Sequence, residues 1–188
     1  KLVPLLLLGA ATSFVLGVGM TVTAAYILLA IVLAPALIGL GLDPIAVHLF
    51  ILYWGMISYI TPPVALGAFA ASSLAGSTPM RTGFEAMRLG SVIYFLPFFF
   101  VLNPALVLHG DIYTIVLEVG SAVLGIVLVA SGLQGHLVWL GSFSGSSRCM
   151  LSRFILVIGG LALAYPEIIS NLVGLSAIPL AAILRNRR

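Results

Sequence analysis

Long apolar runs, broken at a few places by glycine, proline or hydroxyl residues, organise this sequence. No charged side chain occurs between Lys1 and Asp43, and none between Asp43 and Arg81. Six apolar stretches follow: residues 2–18, ended by Gly17-Val18-Gly19; 22–42, opened by Thr21 and Thr23; 45–75, with Thr61-Pro62-Pro63 near its middle; 89–108; 112–133; and 154–184, interrupted at Tyr165-Pro166-Glu167. One crossing of a bilayer's hydrocarbon core takes about 20 helical residues at ~1.5 Å each. The runs are that long or longer and recur along the whole chain, so the pattern predicts an all-α integral membrane protein with several passes.

Composition sharpens that expectation. Of 188 residues, 62% are hydrophobic and 7% charged, against roughly 25% charged in an ordinary soluble domain. Such a chain cannot cover a water-facing surface, which excludes a soluble enzyme, a secreted disulfide scaffold and a nucleic-acid binder. The net charge of +3 comes from arginines at loops and the tail, not from a phosphate-binding face. Cys149 is the single cysteine, so no internal disulfide exists. The chain opens Lys1-Leu2-Val3, without methionine and without the short apolar core and cleavage site of a signal peptide. The expectation is the C-terminal part of a longer polypeptide, whose N-terminal remainder is then a partner.

Loop charges orient the stretches, because cytoplasmic loops are enriched in lysine and arginine. Arg81 and Arg88 precede the fourth stretch, Arg148 and Arg153 follow the fifth, and only His109 and Asp111 lie between them. Inside, outside, inside fits two ordinary crossings, and puts the Asp43-Pro44 loop outside. The tail residues Arg185, Arg187 and Arg188 reach the same inner side if Pro166 turns the last stretch into a re-entrant or interfacial return.

The first two stretches call for another geometry. The segment Gly17-Val18-Gly19-Met20-Thr21 has no charge and makes a poor water-exposed loop. Glycine permits a tight reversal, and Thr21 or Thr23 can cap the following helix. Irregular backbone at membrane depth survives only inside protein or beside a watery cavity. A re-entrant hairpin over about 2–42, entering from outside and turning near the midplane, satisfies these conditions; two full spans joined by a short turn are the alternative.

Thr61-Pro62-Pro63 is the most informative local signal. Each proline removes a backbone N–H and clashes with the carbonyl four residues earlier, leaving at least two carbonyls around residues 59–61 without helical partners. In lipid such groups are costly, so side chains or a cation must satisfy them. Thr61 and Ser58 add hydroxyls at the same level, and uncharged oxygens suit Na⁺ rather than a transition metal. A simple proline kink explains the dipeptide equally. Together, a hairpin tip and a broken helix over about 45–76 match the arrangement in which secondary transporters bind solute and coupling ion. Gly67, Ala71 and Ala75 add a row of small residues that lets another helix approach, with Ser72 and Ser73 beside it; tight packing explains that row as well as a sliding transport element does.

Other patterns carry less. Gly17 to Val22 imitates a dinucleotide fingerprint but lacks the third glycine and a preceding strand. Gly141-Ser142-Phe143-Ser144-Gly145 has phenylalanine where a nucleophile elbow needs serine. His48, His109 and His136 are isolated near span ends, whereas metal sites need clustered ligands. Glu118 is the one acid inside a span, a proton-relay candidate or a side chain reaching the interface. Asn103-Pro104 bends or ends the fourth stretch, and Arg81, Glu85 and Arg88 at helical spacing form an amphipathic turn over 77–88.

With these motifs in view, Gly17-Val18-Gly19-Met20-Thr21-Val22-Thr23-Ala24-Ala25-Tyr26 and Leu33-Ala34-Pro35-Ala36-Leu37 closely resemble the second-repeat hairpin of the large membrane subunits of tripartite ATP-independent periplasmic (TRAP) transporters. The segments 41–50 and 60–66 look like that family's next helix. Pro79-Met80-Arg81-Thr82-Gly83 and Asn103-Pro104-Ala105-Leu106 point to the fused small-plus-large form that works with TAXI-type binding proteins. The resemblance is specific over 10–108 and general over 109–188, where fused forms carry extra helices. It implies half of an inverted-repeat, elevator-type transporter in a bacterial or archaeal inner membrane: a second-repeat transport part over 1–76, a scaffold-type part over 77–108 and C-terminal extra helices over 109–188. It further implies Na⁺-coupled uptake of an anionic, often carboxylate, solute delivered by a periplasmic binding protein, with Na⁺ as coupling ion and no other cofactor. Gly17, Gly19, Met20, Thr21, Thr23, Ser58, Thr61, Pro62 and Pro63 would line the ion and solute sites, with Na⁺ at Thr61, Ser58, Thr21 and Thr23. One departure stands out: Val22 separates the threonines where many relatives have proline after Gly-Met; Ala65, where dicarboxylate-type relatives have glycine, fits the TAXI branch. The competing functions are a non-transporting anchor or assembly subunit, a binding-protein-independent carrier of the same fold class, and a membrane-embedded enzyme built on Glu118, His109 and His136.

Overall fold

The structure, a computed structural model, describes residues 2–138, 141–143, 147–163 and 165–186. The loop residues Ser144 and Gly145 and the tail residues Arg187 and Arg188 lie outside the described residues. The chain divides into two compact units, Lys1–Val101 and Leu102–Arg188.

In the first unit, helix α1 (Leu2–Gly19) turns at Met20 into α2 (Val22–Val32). Thr21 is the cap: its backbone is extended and its hydroxyl accepts from the Ala24 N–H at 3.3 Å, which settles the choice between the two threonines. Leu33 ends α2, and Ala34-Pro35 starts a short α3 (Ala34–Ile38), with proline in the first turn, where its missing N–H costs nothing. Asp43 caps α4 (Pro44–Met56) by accepting from the Ala46 N–H at 3.0 Å. A 3-10 turn over Ile57–Tyr59 and an irregular segment then lead into α5 (Leu66–Ala75). Thus the 45–76 stretch is broken at Thr61-Pro62-Pro63, and the Pro62-Pro63 bond is cis.

The packing of this unit follows from small residues. Gly9, Ser13 and Gly17 recur every four residues and are buried, and α1 packs chiefly on α4. A Cβ on Gly17 would sit 2.5 Å from the Gly55 carbonyl oxygen, while one on Gly9 would meet the side chains of Leu33 and Phe50. Position 9 therefore lies level with Phe50 and position 17 level with Gly55: α4 runs beside α1 and arrives with its end at the hairpin turn. Gly67, Ala71 and Ala75 lie on the exposed side of α5, whereas Ala68 and Ser72 are buried.

The amphipathic segment is a full helix, α6 (Pro79–Leu89), with Gly83 buried against Pro62 and an exposed Arg88–Glu85 ion pair at 3.4 Å. The fourth stretch departs from the expected single crossing. Gly90 opens a 3-10 turn over Ser91–Tyr94, followed by α7 (Leu96–Leu102) and another 3-10 turn over Pro104–Val107. The segments Pro79–Leu89 and Ser91–Leu102 are bent by 68°. Pro97 and Asn103-Pro104 interrupt the helical ladder, and apolar content alone did not reveal how short the pieces are.

The second unit is more regular. Asp111 caps α8 (Ile112–Gln134), a 23-residue helix, by accepting from the Tyr113 N–H. A minimal ribbon of β1 (His136–Leu137) and β2 (Gly141–Ser142) leads to α9 (Ser147–Ala162) and α10 (Ile168–Asn186). Ser121 sits near Leu163 and Gly132 beside Arg153, so α8 and α9 are antiparallel. Ser152 bonds the Ala181 carbonyl and Gly159 packs on Gly174, so α10 returns along α9 to the end where α9 began. The interruption at Tyr165-Pro166-Glu167 therefore lies between two antiparallel helices. Among the described residues, α1 and α8 are long and apolar enough to cross a membrane, and the bent pair adds one if it counts as a single span.

Candidate functional site

The tip and the break come together in the first unit. Gly17 lies directly on Gly55, two residues before the 3-10 segment, and Ala25 of α2 also flanks Gly55. Val22, just past the tip, shares a cavity of about 540 Å³ with Met56, Ile57, Tyr59, Ile60 and Ile93. As a continuous helix α2 reaches only about 16 Å, half of a ~30 Å hydrocarbon core, so on its own it is not a second full span.

At the break, the backbone groups find protein partners. The Ala65 N–H donates to both the Ser58 and the Thr61 carbonyls, at 3.1 Å each. This corrects part of the sequence expectation: the Thr61 carbonyl is not left over. The geometry has a cost, because Ala65 is fully buried at φ +36°, a left-handed conformation that favours glycine.

The two buried hydroxyls are held in defined directions. Ser58 Oγ donates to the Gly55 carbonyl at 3.0 Å. Thr61 Oγ1 donates to the Ile57 carbonyl at 2.8 Å and lies 2.6 Å from the Tyr94 hydroxyl. With its own proton committed, Thr61 accepts from Tyr94, which leaves one lone pair on Oγ1. Tyr94 is in turn positioned by an aromatic seam: its ring meets Trp54 edge-on at 6.1 Å, and Trp54 meets Phe98 at 5.9 Å. Tyr94 escaped the sequence analysis because it lies 33 residues from Thr61 in a segment marked only as apolar. Ser13, in the packed row of α1, is wholly buried with no hydrogen-bond partner for its hydroxyl. Its spacing to Gly9 and Gly17 was the signal that marks it.

Each expected site residue can be placed. Gly17, Ser58 and Thr61 are buried; Gly19, Met20, Thr21, Thr23 and Pro63 are exposed; Pro62 is half-buried under Gly83. No hydrogen bond joins Thr21 or Thr23 to Ser58 or Thr61 among the described residues, and none of the four lines the cavity beside Val22. The structure thus joins the two breaks through backbone and apolar contacts. No group of three or more histidine, cysteine or acidic side chains able to hold a metal occurs among the described residues.

The remaining polar candidates belong to local contacts. His48 Nδ1 lies 3.0 Å from the Tyr26 hydroxyl. Glu118 is half-buried and accepts from Asn103 Nδ2 at 2.8 Å, while Asn103 Oδ1 accepts from the Ala105 N–H. Glu118, His109 and His136 are not gathered into one cluster.

Comparison with protein families gives one match: the family described as "Tripartite ATP-independent periplasmic transporter, DctM component" matches residues 1–115. No curated protein and no solved structure matches the chain.

Proposed function

The chain belongs to the DctM family of tripartite ATP-independent periplasmic transporter components, a transport family rather than an enzyme family, and from that premise we propose that it carries one of the two breaks-and-tip pairs of a Na⁺-coupled permease for an anionic, carboxylate-type solute. A soluble periplasmic protein delivers the solute, and the permease sits in the inner membrane as a multi-pass protein of the fused, TAXI-associated kind. The observation that carries the reading is the contact of Gly17 on Gly55, which holds the hairpin tip at the end of the broken helix.

The chemistry follows from that contact. A sodium ion asks for several neutral oxygens at close range, and the break supplies them without a carboxylate: the free lone pair of Thr61, the Ser58 hydroxyl and nearby carbonyls. The tip supplies Thr21, Thr23 and the N-terminus of α2, whose dipole favours an anion. Binding of the ion draws tip and break into one arrangement and completes the solute pocket. The matching pair comes from the permease's other repeat, and the exposed row Gly67, Ala71 and Ala75 is the face along which the moving part slides.

Thr61 tests this reading. In the complete permease reconstituted with its binding protein, Thr61→Val removes the hydroxyl at nearly constant shape and is expected to raise the Na⁺ concentration for half-maximal uptake about tenfold, the equivalent of ~1.4 kcal/mol. Tyr94→Phe keeps the Thr61 oxygen and is expected to shift it less. Unchanged Na⁺ dependence in Thr61→Val would remove Thr61 from the ion site.

A further inference from the structure

A polar cavity in the second unit is lined by residues that the proposed function does not use. It measures about 500 Å³ and is lined by Gln134, Gly135, Ser142, Phe143, Arg153 and Phe154, among others. Among the described lining residues, Arg153 is the charged one. The guanidinium is anchored: Nε donates to the Gly132 carbonyl at 2.8 Å and Nη2 to the Leu133 carbonyl at 2.6 Å, capping the C-terminus of α8. Gly135, at φ +72°, keeps the backbone there out of its way. Among the described residues Nη1 has no hydrogen-bond partner, which leaves its donor pair on the open side.

Two further facts say what fits there. A 23-residue helix is about 34 Å long, just over one hydrocarbon core, so its last turn and Arg153 lie at the membrane boundary. From the cavity, one face of α9 continues as Met150, Phe154, Ile158 and Leu161, spaced four, four and three residues apart and all exposed, at 59%, 55%, 62% and 38%. An anchored cation at the boundary with an apolar track running away from it matches an anionic head group with an acyl chain attached. The sequence adds Arg148 to the same segment and places no acid between Glu118 and Glu167.

We infer that this cavity binds an anionic phospholipid, with the phosphate at Arg153 Nη1 and an acyl chain along Met150, Phe154 and Ile158. The site fixes the α8–α9 end of the second unit against the membrane surface, and it is independent of ion coupling in the first unit.

The test uses the complete permease in detergent, with retained lipid counted by native mass spectrometry after addition of phosphatidylglycerol or phosphatidylcholine. The wild type is expected to retain phosphatidylglycerol in preference, and Arg153→Gln to weaken that preference about fivefold, from the ~1 kcal/mol that one basic residue contributes at an anionic surface. Because Arg153 also caps α8, Gln134→Glu serves as the companion: it leaves the cap in place, puts a negative charge in the cavity and is expected to abolish the preference. Equal retention of the two lipids by the wild type, or an undiminished preference in Gln134→Glu, would overturn the inference. Competition by inorganic phosphate as effective as by phosphatidylglycerol would make this a free-anion site and overturn the lipid assignment.

Discussion

The two units solve the same solvent problem in opposite ways. In the second, α8, α9 and α10 run long and antiparallel and meet through glycines: a Cβ on Gly160 would lie 2.5 Å from the Gly125 carbonyl. Backbone polar groups are satisfied inside each helix except around Pro179 of α10, and close packing does the rest. In the first, α1 keeps the length of a crossing, but the chain reverses at Met20 and the later apolar stretches are broken at Leu33, residues 57–65 and Gly90. Its freed backbone groups are taken up one at a time by Thr21, Thr61, Ser58 and the Ala65 N–H. A membrane protein gains nothing in stability from such interruptions, each of which exposes polar backbone to a medium that cannot solvate it. Their concentration where α1, α2 and α4 meet sets off the region proposed to bind and move, and the family match covers it in full, ending a few residues into α8.

This contrast can be broken most severely at its two glycine contacts. Gly160→Val drives a side chain into α8 backbone and is expected to destabilise the second unit by about 1–3 kcal/mol or more, seen as a lower thermal midpoint and poor recovery from detergent. Gly17→Val inflicts the same clash on the Gly55 carbonyl, and its expected signature is different: uptake falls at least tenfold in protein that still folds, because what is lost is the seating of tip on break. If Gly17→Val transports normally, the contact does not belong to the mechanism.

Ala65 gives a smaller and opposite effect. Its left-handed backbone costs about 1–2 kcal/mol in an L-residue, so Ala65→Gly is expected to raise stability by up to about 1 kcal/mol, and Ala65→Val to lower it; a destabilised glycine variant would show that the buried methyl outweighs the strain. Gly19 is the least sensitive position. A Cβ there meets nothing within 4 Å, and Gly19→Ala should leave stability within about 0.5 kcal/mol of wild type.

The sequence made some of this legible and hid the rest for definable reasons. The tip and the Thr61-Pro62-Pro63 break were visible because glycine and proline act on their own backbone. Thr21, with Thr23, was readable as a helix cap for the same reason, since a cap is a local bond; Asp43 shows in the sequence only as a loop residue. The fragmentation of 89–108 was not visible, since hydropathy counts apolar side chains and is blind to how Gly90, Pro97 and Asn103-Pro104 combine. Nor was Tyr94, whose partner is distant in the chain. Small-residue spacing was present twice. The row 67/71/75 was noticed, but within its own unit it is exposed; the row 9/13/17, with the same spacing, carries the packing. Spacing shows that a helix can approach and says nothing about which one does.

The central claim is that tip and break form one sodium-dependent unit. A ligand that binds only the folded protein stabilises it by RT ln(1 + [L]/Kd), about 2.7 kcal/mol at a hundredfold excess over Kd. The most direct measurement is therefore the thermal midpoint of the complete permease in Na⁺ and in K⁺ at equal ionic strength, for wild type and Thr61→Val. The account predicts a higher midpoint in Na⁺ for wild type and a much smaller difference for the variant. Equal midpoints in the two salts for wild type would contradict it.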